Sequence, residues 1–391
     1  MRIGHFYRSL GRSADGAGLS TLALCQALQS IPGVEITRYN AMQEFTGNAD
    51  TPIIALDLDY QDFTKSLFSK SVKPSLENVL LNLDLIHLHG GYFSLETITL
   101  GKIANLLNLP YVYTPHAIIH NPAMGPQNLK KKIFNRLLGL PFLNRAAWVQ
   151  GFTLKEKELL KQYGVKVPIK VIPIGIDPVH LDGSSNSAAF LSDIPRPWIG
   201  FLGRLDIWTK GLDLLLSGFA ELVQRLGHQA GSLVIAGPDW YESRAALEAM
   251  AQNLKISQKV RFVGEVPREQ VVPFLRDLDL FILPSRMESF GRVILEACAS
   301  GCPVVVTHNA CISDMVKNYQ IGLSVAFSVP ELADGMEWML KHPDWREQMG
   351  ANGKVLAKEM TWEKVALQMI GAYKESIGDY GRKRLTEKNN I

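Results

Sequence analysis

The chain has 391 residues, 47% of them hydrophobic and 20% charged, and a formal net charge of +3. That length exceeds what one ordinary core serves and predicts two domains. The near-balanced charge offers no case for a nucleic-acid partner, and none is expected; no apolar run approaches the ~18 residues of a membrane-spanning helix.

The N-terminus runs straight into a strand-like stretch, residues 2–7, with no signal-peptide core, so a cytoplasmic protein is expected. Next comes a glycine-containing loop, residues 11–18, and a helix from about Leu19 to Leu28. Gly16 and Gly18 would let the backbone approach a ligand closely. A dinucleotide-binding fold is the rival reading here. Its third glycine position holds Thr21, and the second strand, residues 34–39, carries Arg38 where an acidic residue would stand. The rival fails on the glycine, while an NADP-type arginine stays open. Further strands are expected at 52–58, 85–89, 111–114, 148–151 and 170–174, with helical patterns between them. That alternation predicts an α/β domain with a parallel, doubly wound sheet. Asp57 and Asp59 read as a strand end rather than a metal-binding pair. His87, His89 and His116 fall at the carboxyl ends of predicted strands, the side on which such sheets bind ligands.

The segment 121–170 holds ten Lys or Arg against two Glu. Leu129, Ile133, Phe134, Leu137 and Leu138 share one helical face there. Either that face packs on the sheet and the cations are solvated, or residues 129–145 make a peripheral contact with the inner face of the membrane. Residues 181–197 are polar, small and proline-punctuated, and read as a linker between a first domain, 1–180, and a second. Of the four cysteines, Cys298, Cys302 and Cys311 cluster, but their spacing matches no common zinc pattern. They and Cys25 are expected to be buried free thiols, with no metal and no cofactor.

The second domain, 198–365, repeats the alternation, with strands expected at 199–202, 232–236, 260–263, 278–283, 304–307 and 322–325. Two strand-to-helix junctions stand out. After the first strand, Arg204 and Lys210 flank a turn that enters a helix near Thr209, and two such cations can neutralise a diphosphate. After the fourth strand, Glu288 lies in the loop, and Glu296 follows about a turn and a half into the next helix. The amides of Ser289, Phe290 and Gly291 lie where a helix start binds anions. Carboxylates on both sides of an anion site suit a ligand that joins hydroxyls to phosphates, as a nucleotide sugar does.

The two junctions together resemble the signature of the retaining family-four glycosyltransferases (glycosyltransferase group 1), and the segment from Pro115 to Arg145 resembles bacterial members of polysaccharide biosynthesis. Its most specific part is the glutamate pair with seven residues between. The resemblance implies the GT-B fold: two Rossmann-like doubly wound domains facing each other across a cleft, with a C-terminal region, 366–391, of helix and tail returning to the acceptor-side first domain; Trp362 to Tyr373 is the candidate helix, and the tail is expected from Arg382. It implies that Glu288 meets donor-sugar hydroxyls, Glu296 the ribose, and Arg204 and Lys210 the diphosphate. Val266, after the third strand, would lie at the base. His116 matches a histidine that many members place beside the donor sugar. The loop with Gly16 and Gly18 would lie between acceptor and phosphate, although members usually have adjacent glycines and Ala17 intervenes here. The expected enzyme moves a sugar from a UDP- or GDP-sugar to a hydroxyl of a saccharide or glycolipid acceptor, with retention. A nucleotide-sugar isomerase on the same fold and a catalytically silent nucleotide-sugar-binding partner are the alternatives.

Overall fold

The computed structural model describes residues 1–8, 16–40, 53–55, 74–90, 94–116, 133–177 and 194–388. Asp57 and Asp59, Lys130 to Lys132 and most of the linker lie outside them. The chain forms two compact units, one of Met1–Gly175 with Trp362–Ile391, the other of Ile176–Thr361. The sequence places the corresponding boundaries near 180 and 365.

The first unit is built on seven parallel strands: β1 (Arg2–Phe6), β2 (Glu35–Asn40), β3 (Ile53–Ala55), β4 (Leu85–Gly90), β5 (Tyr111–Pro115), β6 (Trp148–Gly151) and β7 (Ile169–Val171). Their order is β3-β2-β1-β4-β5-β6-β7, so the winding reverses between β1 and β4. Every residue of β4 and β5 is buried, as expected where helices cover both faces of a parallel sheet. Two covering helices carry clear start signals. The Ser94 hydroxyl accepts from Thr97 N at 3.2 Å ahead of helix Leu95–Leu106. Thr153 and Glu156 both cap helix Leu154–Tyr163: the Thr153 hydroxyl accepts from Glu156 N, and the Glu156 carboxylate accepts from Phe152 N.

The apolar stripe expected at 129–145 does not stay on one face. A π-helical turn, Asn135–Gly139, precedes helix Leu140–Leu143. A turn of wider period rotates the following side chains out of step. Phe134 and Leu138 pack on the core of the first unit, while Ile133 and Leu137 stand exposed.

The C-terminal helix starts at Trp362, where the sequence reading places it, and runs past the expected Tyr373 to Lys388, into residues from 382 expected to form the tail. It packs on the first unit. The Trp148 indole donates to Ser376 Oγ at 2.9 Å, Lys170 pairs with Glu375, and Tyr373 is fully buried. A Cβ on Gly175 would lie 2.6 Å from the Trp362 ring, so glycine lets the chain pass that helix start closely.

The second unit has six parallel strands: β8 (Trp198–Leu202), β9 (Ser232–Ala236), β10 (Val260–Gly264), β11 (Leu280–Leu283), β12 (Val304–Thr307) and β13 (Gly322–Val325). The order β10-β9-β8-β11-β12-β13 is the Rossmann order, and its winding reverses between β8 and β11. Helix Leu212–Leu226 buries Leu212, Leu215, Leu216, Phe219 and Leu222 and packs on helix Val329–Lys341, where Gly218 approaches Leu332. The four cysteines are buried and free. Burial pushes the thiols of Cys25 and Cys298 up to about 12, which makes them unreactive near neutral pH. Among the described residues no helix is long and apolar enough to cross a membrane.

Candidate functional site

Ligands of open α/β sheets bind beyond the carboxyl ends of the strands, where the winding reverses. In the second unit that point lies between β8 and β11, whose ends carry the two junctions singled out in the sequence.

The β8 turn is pressed against the β9 turn. Gly203 N donates to Ala236 O at 3.0 Å, and Leu205 N to Pro238 O at 3.0 Å. Gly237 has φ +134, and a Cβ there would sit 1.9 Å from Gly203 O, so no side chain fits. This brings Trp240 beneath Arg204, whose guanidinium carbon lies 4.4 Å from the ring centroid. A cation held over an aromatic face keeps its edge N–H groups available to an anion. The helix starts at Ile207, before the expected Thr209, because Asp206 caps it by accepting from Thr209 N at 2.9 Å. It is also broken. Ile207–Lys210 ends at Gly211, with φ +67, and Leu212–Leu226 follows.

Gly211 is where the two junctions lock together. A Cβ on it would lie 2.0 Å from Pro284 O, at the end of β11. Arg286 N donates to Thr209 O at 3.0 Å. The Arg286 guanidinium grips both oxygens of Asp213, at 2.8 and 2.6 Å, and donates to Trp208 O at 2.9 Å. Burial pushes the Asp213 carboxyl up, but these bonds from Arg286 outweigh it and hold the group below its ordinary range. The lock sets Lys210 Nζ 2.6 Å from Glu288 Oε2, with the two side chains only 18% and 14% exposed. Glu288 is tied from the other side as well, since its carbonyl accepts from Cys311 N at 2.8 Å.

Gly291, φ +78, starts helix Arg292–Ser300. Phe290 turns its ring into the core, so at a site it can offer only its backbone, beside Ser289. Glu296 lies in that helix and accepts from Arg292 at 3.1 Å. Val266 follows β10 and, with Glu265 and Gln270, lines a cavity of about 330 Å³. Lys210 and Glu288 are thus in direct contact, Arg204 is held by Trp240, and Glu296 is paired within its own helix. Trp240, Asp213 and Arg286 were not singled out from the sequence. Asp206 had a signal, an acidic residue three before a helical amide, while the Asp213–Arg286 pair had none.

In the first unit, helix Gly16–Gln29 begins at the carboxyl end of the sheet. Gly16 is exposed, and a Cβ there would meet nothing within 4 Å; Gly18 is buried. One turn on, the Thr21 hydroxyl donates to Ala17 O at 2.9 Å and lies 3.4 Å from His116 Nε2. The residue that broke the dinucleotide pattern therefore places the helix start beside His116. His116 N donates to Gly90 O at 2.8 Å, and His116 Nε2 lies 3.1 Å from His89 Nδ1. The structure corrects the position of His87: it sits inside β4, not at its end, fully buried between Tyr373 and Thr114. His5 of β1 joins the group, its Nδ1 3.0 Å from His89 Nε2. Burial, and then the nearby Arg38 charge, lower His5 to about 3. Burial likewise drives His87 and His89 well below the usual histidine value, so all three are neutral at pH 7.

Two doubly wound parallel domains, each with polar side chains at its winding reversal, fit the GT-B fold. The family described as Glycosyltransferase Family 4 matches residues 14–180, and the one described as Glycosyl transferases group 1 matches residues 186–356. A D-inositol 3-phosphate glycosyltransferase of Corynebacterium jeikeium (strain K411) is 30% identical over 309 residues, 75% of this chain and 73% of that protein. Among solved structures, sucrose-phosphate synthase from Thermosynechococcus elongatus is similar over 97% of this chain and 99% of its own, with a TM-score of 0.77 and 20% identity. Anabaena HepE, solved in complex with UDP and glucose, is similar over 96% and 100%, with a TM-score of 0.73 and 18% identity. The chain belongs to the family-four, group 1 glycosyltransferases and is a transferase enzyme.

Proposed function

We propose that the enzyme transfers a sugar, with retention, from a UDP- or GDP-sugar to a hydroxyl of a saccharide or glycolipid in envelope-type polysaccharide or glycolipid synthesis. The observation that carries this is the Lys210–Glu288 contact at the winding reversal of the second unit, a cation beside a carboxylate where a ligand joining phosphate to sugar would lie. In the reaction the bond from the sugar's anomeric carbon to the diphosphate oxygen breaks, and the diphosphate leaves with the electron pair. The acceptor oxygen bonds to the same face of that carbon, and its proton passes to the departing phosphate oxygen. Charge grows on the diphosphate, so fixed cations there stabilise the transition state more than the ground state. Arg204 and Lys210 take that role, with the amides from Ser289 to Gly291. Glu288 accepts hydrogen bonds from sugar hydroxyls, Glu296 from the ribose, and Val266 meets the base through its backbone. Gly16 and Gly18 leave room between acceptor and phosphate, and His116 stands beside the sugar. UDP is the first nucleotide to try, because a similarly folded protein was solved with it. The proposal includes a peripheral membrane contact through 129–145, supported by exposed Ile133 and Leu137 beside Arg136.

The test is a thermal-shift titration with UDP, GDP, ADP and their sugars, on wild type and Arg204→Ala. Ligand binding to the native state raises the melting temperature without any need to know the acceptor. A shift confined to one nucleotide, and lost in the variant, is expected. Equal shifts in both proteins would remove Arg204 from the diphosphate.

A further inference from the structure

Arg196, Arg286 and Arg292 each end on a carboxylate, those of Asp279, Asp213 and Glu296. Arg204 does not. Among the described residues its guanidinium makes no ion pair and no hydrogen bond, and what holds it is the Trp240 ring, 4.4 Å from the guanidinium carbon. The acidic residues of the two facing turns act elsewhere. Asp206 accepts from Thr209 N at 2.9 Å, and Asp239, bridged to Leu205, accepts from Arg244 N at 3.0 Å.

Trp240 is held in place by its own turn. Tyr241 and Glu242, next along the chain, both have left-handed backbone, φ +52 and +58. Side chains other than glycine adopt that conformation at a steric cost, so the surroundings must impose it. Ser243 Oγ donates to Trp240 O at 2.6 Å, and Ser243 N donates to the same oxygen at 3.2 Å. The Tyr241 ring stands at 75° to the indole, with centroids 5.0 Å apart. Together with the close approach of Gly237 to Gly203, these contacts fix where the indole meets Arg204.

An aromatic face attracts a cation through its quadrupole but carries no net charge. A carboxylate anchor would hold the same arginine and cancel its charge. A diphosphate arriving at Lys210 has Glu288 to displace, whereas at Arg204 there is no carboxylate to displace.

We propose that Trp240 is a positioning residue, which orders the Arg204 guanidinium without neutralising it, so that an undiminished cation meets the diphosphate. This role rests on the reading of Arg204 as a partner of the diphosphate. In it Trp240 need touch neither phosphate nor base, so its effect follows the diphosphate and passes through Arg204.

The test measures binding of UDP and uridine, and of GDP and guanosine, to the full chain by calorimetry, with each nucleoside read in competition against its diphosphate. The proteins are wild type, Trp240→Leu, Trp240→Phe, Trp240→Glu, Arg204→Ala and the double variant Arg204→Ala/Trp240→Leu. Trp240→Leu is expected to weaken the diphosphate about fivefold, the scale of one partly exposed cation–π contact, and to leave the nucleoside within about twofold. Trp240→Phe keeps an aromatic face and is expected to bind within about twofold of wild type. Trp240→Glu tethers Arg204 but cancels its charge, and is expected to lose more than Trp240→Leu. In the Arg204→Ala background, Trp240→Leu should change nothing further. Should Trp240→Leu not fold, Trp240→Phe against Trp240→Glu carries the same comparison. Equal losses for diphosphate and nucleoside would make Trp240 a base contact or a packing residue and overturn the proposal. A loss that persists in the Arg204→Ala background, or a Trp240→Glu variant that binds like Trp240→Phe, would overturn it too. If Arg204→Ala weakens the diphosphate and Trp240→Leu does not, the reading of Arg204 stands and the role of Trp240 falls. If Arg204→Ala binds the diphosphate as wild type does, or no diphosphate binds, both fall.

Discussion

At the scale of single residues, the proposed function turns on the Lys210–Glu288 pair. Two half-buried groups of opposite charge 2.6 Å apart neutralise each other until something competes. Under the proposed function a diphosphate would compete for the lysine and sugar hydroxyls for the glutamate, so the pair would suit a ligand that carries both. Lys210→Ala is expected to lower turnover about 100-fold at saturating donor, the scale of one lost oxyanion donor. A variant that keeps more than about a third of wild-type turnover in a steady-state assay would contradict the diphosphate role. Arg204, Lys210 and Glu288 were legible in the sequence because each sits a fixed distance from a strand end. Trp240 and Asp213 were not. Their relevance comes from Arg204 and Arg286, 36 and 73 positions away, through contacts that no local pattern announces.

At the scale of elements, glycines decide how close two turns can come. Gly211 and Gly237 each bring backbone to within what a Cβ would occupy, and so weld β8 to β11 and to β9. A helix expected to run unbroken from Thr209 therefore breaks at Gly211. The segment 129–145 teaches the converse. Its residues read as one amphipathic face only if the helical period holds, and the π-turn at Asn135–Gly139 divides them between core and surface. The exposed half, with the lysines before it, is what the membrane proposal uses. The enzyme is expected to sediment with anionic vesicles, and replacing Lys130, Lys131 and Lys132 by Ala should release most of it at ~0.15 M salt. Unchanged sedimentation of the triple variant would remove the contact.

At the scale of the whole molecule, the two units differ in what they bury. The first holds three neutral imidazoles, His5, His87 and His89, inside its sheet. Their native pKa values lie below the ~6.5 of the unfolded chain, so the unfolded state binds more protons below that pH. Stability is therefore full above pH 6.5 and falls as pH drops from 6.5 toward 3. At pH 5.5 the loss is about 1.4 kcal/mol per histidine, on the order of 4 kcal/mol for the three. Urea titrations followed by ¹⁹F-tryptophan NMR resolve this in the intact chain, because Trp148 reports on β6 and Trp198 on β8. The Trp148 midpoint is expected to drop between pH 7.5 and 5.5. A Trp148 midpoint that stays in place would mean that the imidazoles are not held neutral.

The sequence by itself determined the strands found among the described residues, the doubly wound class of both units and where along the chain the two junctions fall. Those follow from local period, from turn residues and from offsets to strand ends, which neighbours along the chain dictate. The tertiary structure alone decided that Lys210 meets Glu288, that Thr21 and His89 flank His116, and that His87 serves the C-terminal helix instead of the ligand side. Each of these joins atoms from distant strands whose order in the sheet, β1 beside β4 and β8 beside β11, is fixed by crossover packing and cannot be read from spacing.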